Sequence, residues 1–214
     1  MTEKQWHRSL IGHISNIIAD NTTPQDISFI ECGVKQGSSS VIMAKNLRCP
    51  GYLFDTWTGI PNFSKIDAPT EGKARRIKKR MHTKSTKKDC INNLKDNNVD
   101  HLCTLVEGDA CVTIPYVKLE NPISMMHLDT DVSAPIKFAL NYFWQDVINA
   151  GVIVIHDYAD KRWRGVKAVV DEFVEAHEDI NNLYVCDPEK LRAAVIVKGS
   201  NTDIHNYLTT VMLT

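Results

Sequence analysis

Short apolar runs alternate along this chain with stretches of helical period, and five of the runs end in or beside an acid: ISFIEC (Ile27–Cys32), YLFD (Tyr52–Asp55), HLCTLVEGD (His101–Asp109), ISMMHLD (Ile123–Asp129) and VIVIHD (Val152–Asp157). Such alternation constrains the fold to a doubly wound, mostly parallel α/β sheet with helices on both faces, a three-layer α/β/α sandwich. A parallel sheet gathers the carboxyl ends of its strands at one edge. The acids are therefore expected to share that edge and assemble one site.

The helices fall between the strands, near 38–47, 84–96, 135–147 and 163–177, and AAVIVKG (Ala193–Gly199) reads as a late strand. Trp6, Leu10, Ile14, Ile17 and Ile18 recur at helical spacing and predict an amphipathic N-terminal helix over residues 5–20. Its apolar stripe suits the domain's own sheet or a second copy of the chain, so a homo-oligomer stays open. One segment breaks the rhythm. Residues 58–88 carry Pro61 and Pro69 and then nine positive charges from Lys73 to Lys88. An excursion of this length between two strands suggests a lid-like insertion, with a solvated basic face as the plainer reading. The 214 residues suffice for one such domain, 1–214, and not comfortably for two.

The net charge of −1 gives no global attraction to nucleic acid or to an anionic membrane. No apolar run reaches the length of a membrane-spanning helix, and the N-terminus lacks the apolar core of a secretion signal. The six cysteines show no C-x-x-C spacing, which argues against a zinc knuckle and agrees with a reducing, cytoplasmic setting.

In ECGVKQGSSS the first strand stops at Glu31 or Cys32, and Gly33 and Gly37 permit a tight turn. The serine run from Ser38 caps the next helix. Open α/β sheets bind ligands beyond the carboxyl ends of their strands, where this turn lies. G-x-x-x-G is neither the dinucleotide fingerprint nor a P-loop, and by itself fits a structural turn. Asp55 at the tip of the second strand is suited to both hydroxyls of a ribose, or to a simple turn. Gly108 and Asp109 end the third strand on the same edge, where an acceptor could meet an adenine amino group. Together Glu31, Gly33, Gly37, Ser38, Asp55, Gly108 and Asp109 outline a nucleoside pocket.

These stretches resemble the macrocin O-methyltransferase family, whose members use S-adenosylmethionine to methylate sugar hydroxyls on macrolides. The family's E-x-G-V-x-x-G is similar to Glu31–Gly37, its D-S-F-x-G-L-P to Asp55–Pro61, its D-G-D-x-Y to Asp129–Ser133 and its I-D-D-Y to Ile155–Tyr158. A later G-x-x-x-A-V-x-x-F is matched by Gly165, Ala168, Val169 and Phe173. The resemblance implies a Rossmann-like class I methyltransferase fold, with the cofactor on the Glu31–Gly37 loop and Asp55. It also implies a magnesium site carried onto Asp129, His156 and Asp157. His156 departs from the pattern, since the family has a carboxylate there, and an imidazole could tilt the site toward manganese or zinc. Ser133 replaces the tyrosine one position later.

The expected chemistry is in-line transfer of a methyl group from a sulfonium to a hydroxyl of a small molecule or glycan. Asp129 and Asp157 would hold a divalent cation, with His156 a third ligand or the general base. His127 shares a strand face with Asp129 and reads as core or support. Methylation of RNA, guided by the basic insertion, and a nucleoside-binding domain without catalysis are the rival readings.

Overall fold

The computed structural model of the chain describes residues 1–60, 66–67, 85–187 and 189–212. Most of the basic insertion expected over 58–88 lies outside these residues. The chain opens with helix α1 (Glu3–Asp20), started by a capping box between Thr2 and Gln5. Strand β1 (Ser28–Cys32), helix α2 (Ser38–Leu47) and strand β2 (Gly51–Asp55) follow. Helix α3 (Lys87–Asp96) begins at a second capping box, Thr86 with Asp89, three residues later than the sequence suggested. Then come β3 (Cys103–Glu107), a one-turn α4 (Ala110–Thr113), β4 (Ile123–Leu128), α5 (Ser133–Phe143), β5 (Val147–Ile155) and α6 (Arg164–Glu175). The chain closes with β6 (Ile180–Val185), β7 (Ala194–Lys198) and α7 (Thr202–Met212).

The seven strands form one sheet in the order β3-β2-β1-β4-β5-β7-β6. All run parallel except β7, which is antiparallel to both β5 and β6. Side chains alternate between two buried layers, as the two-residue period of a strand requires. Phe29, Leu53, Met125 and Val152 face α1, α2, α3 and α7. Their neighbours Ile30, Phe54, Met126 and Ile153 face α4, α5 and α6. Helix α1 lays Leu10, Ile11, Ile14 and Ile18 on its own sheet, so the apolar stripe is spent within the chain. Residues β6 and α7 were not anticipated from the sequence. INNLYV carries two asparagines, which strands disfavour, and α7 carries three threonines, which helices disfavour.

The direction of winding reverses between β1 and β4, the switch point at which open α/β sheets form a ligand crevice. There the hydrogen-bond ladder runs one residue past the strands. Gly33 donates to the Phe54 carbonyl, Asp129 to Cys32 and His156 to Leu128, at 2.8–2.9 Å. Gly33, Asp129 and His156 are thereby set side by side on one edge. Gly33 has φ +91°, and a Cβ there would stand 2.0 Å from the Asp129 carbonyl oxygen. No larger residue fits without separating the tips of β1 and β4.

Gly33→Ala should accordingly lower stability by about 2 kcal/mol or more through overpacking and positive φ. Chemical denaturation measures it. A variant as stable as the parent would mean that the β1 and β4 tips are free to part.

Candidate active site

Two clefts open at the carboxyl edge of the sheet. The first is lined by Gly33, Lys35, Asp55, Thr56, Gly108, Asp109, Asp129 and Asp131 among others. The second lies beneath α1 and is lined by His7, Arg8, Gly33, Lys35, Ser38, Ser39, Asp129 and His156 among others. Gly33, Lys35 and Asp129 border both, so the clefts meet at the tips of β1 and β4.

Of the residues expected at a nucleoside pocket, Gly33, Asp55, Gly108 and Asp109 line the first cleft. Asp55 is also the anchor of the glycine turn. One of its oxygens accepts from the Val34 and Lys35 amides at 2.7 and 2.8 Å, and the other from the Trp57 amide at 2.7 Å. A carboxylate offers about four acceptor sites, so little capacity is left for a ribose unless the turn gives way. Asp109 caps α4 by accepting from the Cys111 amide at 2.9 Å.

Three residues depart from the expected set. Glu31 is fully buried, and its carboxylate is taken by the hydroxyls of Ser39 and Ser40 and by His127 Nδ1 at 2.8 Å, so it lines neither cleft. It braces the start of α2 and β4 from below. Gly37 is buried at the N-cap of α2 with φ +71°, and a Cβ there would press on Cys90 Sγ. Ser38 lines the second cleft, not the first.

Asp129, His156 and Asp157 come together as the sequence suggested, their ligand atoms all within 4.8 Å of one another. His156 Nδ1 lies 3.2 Å from an oxygen of each aspartate. It is nevertheless buried and makes no well-aligned hydrogen bond. Two carboxylates drawn around one poorly aligned nitrogen suit a shared divalent cation. The donors fit an ion that accepts imidazole better than they fit magnesium, which prefers an all-oxygen octahedron. Asp157 and Asp131 both hold positive φ, at 61° and 62°, and Lys35 does so at 52°. Backbone strain of this kind gathers where a site needs side chains aimed inward.

The charges are coupled. Burial opposes a charge on His156, but Asp129 and then Asp157 outweigh it and push the imidazole up to about 11. Burial likewise opposes ionisation of Asp129, yet His156 and Lys35 hold its carboxyl below the usual range. Asp129, foremost, keeps the Lys35 ammonium charged. Burial, with Asp157 and Asp129 adding to it against Lys35, lifts Asp131 to about 7.

Sequence reasoning missed His7. Its Nε2 lies 2.9 Å from Nε2 of His127, whose other nitrogen meets Glu31. Its ring centroid is 4.6 Å from that of His156. Burial, then His127 and His156, push His7 down to about 3. A signal was available: His7 precedes Leu10, Ile11 and Ile14 at spacings of three, four and seven, so it extends the buried stripe. Ser133, in place of the family's tyrosine, is buried and donates to Asp67 from its amide and hydroxyl at 3.0 and 2.7 Å, tying part of the insertion to the start of α5.

The whole arrangement can be compared with known proteins. The family model for macrocin-O-methyltransferase (TylF) matches residues 1–189. No curated protein matches the chain in sequence. Among solved structures, the O-methyltransferase NovP superposes with a TM-score of 0.74 at 17% identity, covering 91% of this chain and 80% of that one. The calicheamicin methyltransferase CalS11 gives 0.68 at 18% identity, with coverages of 94% and 81%. TomG from Streptomyces achromogenes, solved in complex with S-adenosylmethionine, gives 0.61 at 14%, with coverages of 91% and 80%.

In the metal-free protein His156 should stay protonated across about pH 5–9, a window in which an ordinary histidine titrates. Its pairing stabilises the fold fully below 6.5, the ordinary value, and that contribution is lost as pH rises through about 11. Imidazole NMR spectra test this. Asp129→Asn should bring the His156 transition down into the window. A parent protein whose His156 titrates near 6.5 would contradict the charge pairing.

Proposed function

Because the chain belongs to the macrocin-O-methyltransferase family, and so is an S-adenosylmethionine-dependent O-methyltransferase, we propose that it methylates a hydroxyl of a sugar or glycoside with the help of a divalent cation. The observation that carries this reading is the meeting of the two clefts at Asp129 and Gly33. We assign the cofactor to the first cleft, with Asp55, Gly108 and Asp109 toward its nucleoside, and the acceptor to the second. The apo structure of CalS11 is described as a TDP-rhamnose 3'-O-methyltransferase, which supports a sugar as the acceptor class.

The reaction forms a bond from the acceptor oxygen to the methyl carbon as the carbon–sulfur bond breaks, leaving neutral S-adenosylhomocysteine. Aligning the two reactants is worth roughly 7–11 kcal/mol of the barrier. A rigid junction at Gly33 supports such alignment. The hydroxyl must also lose its proton. We assign to Asp129, the carboxylate on both clefts, the hydrogen bond from that hydroxyl and the uptake of its proton as the new carbon–oxygen bond forms. Asp129, His156 and Asp157 would hold the cation, whose positive charge lowers the pKa of a nearby hydroxyl. His156 then serves as a ligand. As a base it is poorly suited, because a ring nitrogen that gives its lone pair to the cation cannot also take the hydroxyl's proton.

A glycan or small-molecule acceptor is favoured over RNA. The net charge of −1 gives no global attraction to a polyanion, and Lys87 of the basic cluster is paired with Glu107 at 3.1 Å. No helix among the described residues is long and apolar enough to cross a membrane. With none of the six cysteines paired, a reducing cytoplasm is the proposed location.

Asp129→Asn should cut turnover by about a hundredfold or more while leaving cofactor affinity near that of the parent. Asp55→Ala should weaken S-adenosylmethionine binding by calorimetry. Incubation with labelled cofactor, divalent metal and a glycoside panel, followed by mass spectrometry, tests the acceptor. Methylation of oligonucleotides but of no glycoside would overturn the sugar assignment. Full activity after exhaustive chelation would overturn the metal assistance.

A further inference from the structure

Beside the Asp129–His156–Asp157 group lies a second set of potential donors, His7, His127 and Asp129, whose ligand atoms are also within 4.8 Å of one another. Asp129 belongs to both. Around one carboxylate the fold has therefore gathered three imidazoles from three elements: α1, β4 and the turn after β5.

The three imidazoles are not equivalent. His127 is fully buried and already engaged on both nitrogens, by Glu31 at 2.8 Å and by His7 at 2.9 Å. With both imidazoles neutral, the Glu31 carboxylate fixes the proton of His127 on Nδ1. Nε2 of His127 then accepts the Nε2 proton of His7, and His7 is left with its lone pair on Nδ1. A ligating histidine commonly has its other ring nitrogen anchored in this way, by a group that sets its tautomer. His7 thus has an anchored ring with an available lone pair, and it borders the same cleft as Asp129 and His156.

The position of His7 is well supported. Leu10, Ile11 and Ile14 bury the next turns of α1. At its start, Glu3 pairs with Arg192 at 3.1 Å, and Arg192 reaches Asp160 in the turn after β5 at 3.5 Å. Helix α1 is thus tied to the loop that presents His156 and Asp157.

Resting on the metal-assisted reading above, we propose that this centre is built for a first-row transition ion, such as Mn²⁺, Fe²⁺, Co²⁺ or Zn²⁺, and against magnesium. His7 of the N-terminal helix stands within reach of Asp129 but not in one donor group with His156 and Asp157, and it moves onto the ion as a further donor beside these three. Two imidazoles and two carboxylates are a donor set that these ions accept. Magnesium binds oxygen and gives up its water reluctantly, so each imidazole placed at the site disfavours it. The substitution of an imidazole for a family carboxylate at position 156 and the approach of His7 act in the same direction. By this account α1 is part of the centre as well as a cover over the sheet.

The test uses the full chain stripped of metal by chelation and retitrated with Mg²⁺, Mn²⁺ and Zn²⁺ by calorimetry. Pulsed EPR of the Mn²⁺ form counts imidazole nitrogens on the ion. The parent should bind Mn²⁺ and Zn²⁺ at least an order of magnitude more tightly than Mg²⁺ and show two inequivalent nitrogens. His7→Gln should remove one nitrogen and weaken Mn²⁺ by about 10–100-fold. His156→Asp should remove the other and narrow the gap between Mn²⁺ and Mg²⁺. Circular dichroism checks that both variants fold, and the nitrogen count does not depend on activity. Equal affinity for Mg²⁺ and Mn²⁺ in the parent, with no change of ratio in His156→Asp, would overturn the selectivity. Two nitrogens persisting in His7→Gln would overturn the role of His7. A parent that binds no divalent ion would instead overturn the metal-assisted reading itself, an outcome that the other two results exclude.

Discussion

The structure depends on the contact between the tips of β1 and β4. The Asp129 amide donates to the Cys32 carbonyl at 2.8 Å, and Gly33 lies against the backbone of Asp129 so closely that no side chain fits between them. From that contact the ladder steps outward, to β2 through Gly33 and Phe54 and to β5 through His156 and Leu128. Each step adds a residue to the same edge. The site's geometry is therefore set mainly by backbone hydrogen bonds.

Charge is the second organising element. Three aspartates and two histidines crowd a partly buried edge, with Lys35 across the shared wall of the two clefts. Isolated, such carboxylates would be costly to bury. Here Asp129 is paired with His156 and Lys35, and the strain at Asp131, Asp157 and Lys35 shows that the backbone bends to maintain the arrangement. Glu31 solves the same problem one layer down. It is fully buried, and Ser39, Ser40 and His127 satisfy both of its oxygens. Its brace connects the glycine turn to β4 and, through His127, to α1.

Much of this was legible in the sequence. The alternation of strands and helices gave the sheet, and the acids at successive strand ends gave its functional edge. Asp129, His156 and Asp157 are read correctly as a group because each lies one or two residues past a strand of matching register. Other features were hidden for physical reasons. His7 is 120 positions from His127, and only the docking of α1 brings them together. Glu31 ends a strand as the other acids do, but its side chain lies in the layer below the turn, on the Ser39 and Ser40 hydroxyls, a placement that no strand pattern reveals. Strand β6 is unremarkable in composition, and it exists because β7 offers it an antiparallel partner.

The central claim is that a methyl donor and a cation-bound acceptor meet at Asp129. A crystal structure with S-adenosylhomocysteine and Mn²⁺, with data collected at the manganese edge, tests it most directly. The account predicts the nucleoside between Asp55 and Asp109, its sulfur directed toward the shared wall at Gly33, and an anomalous peak among Asp129, His156 and Asp157. A nucleoside lodged beneath α1, or density at those three residues with no anomalous signal, would contradict it.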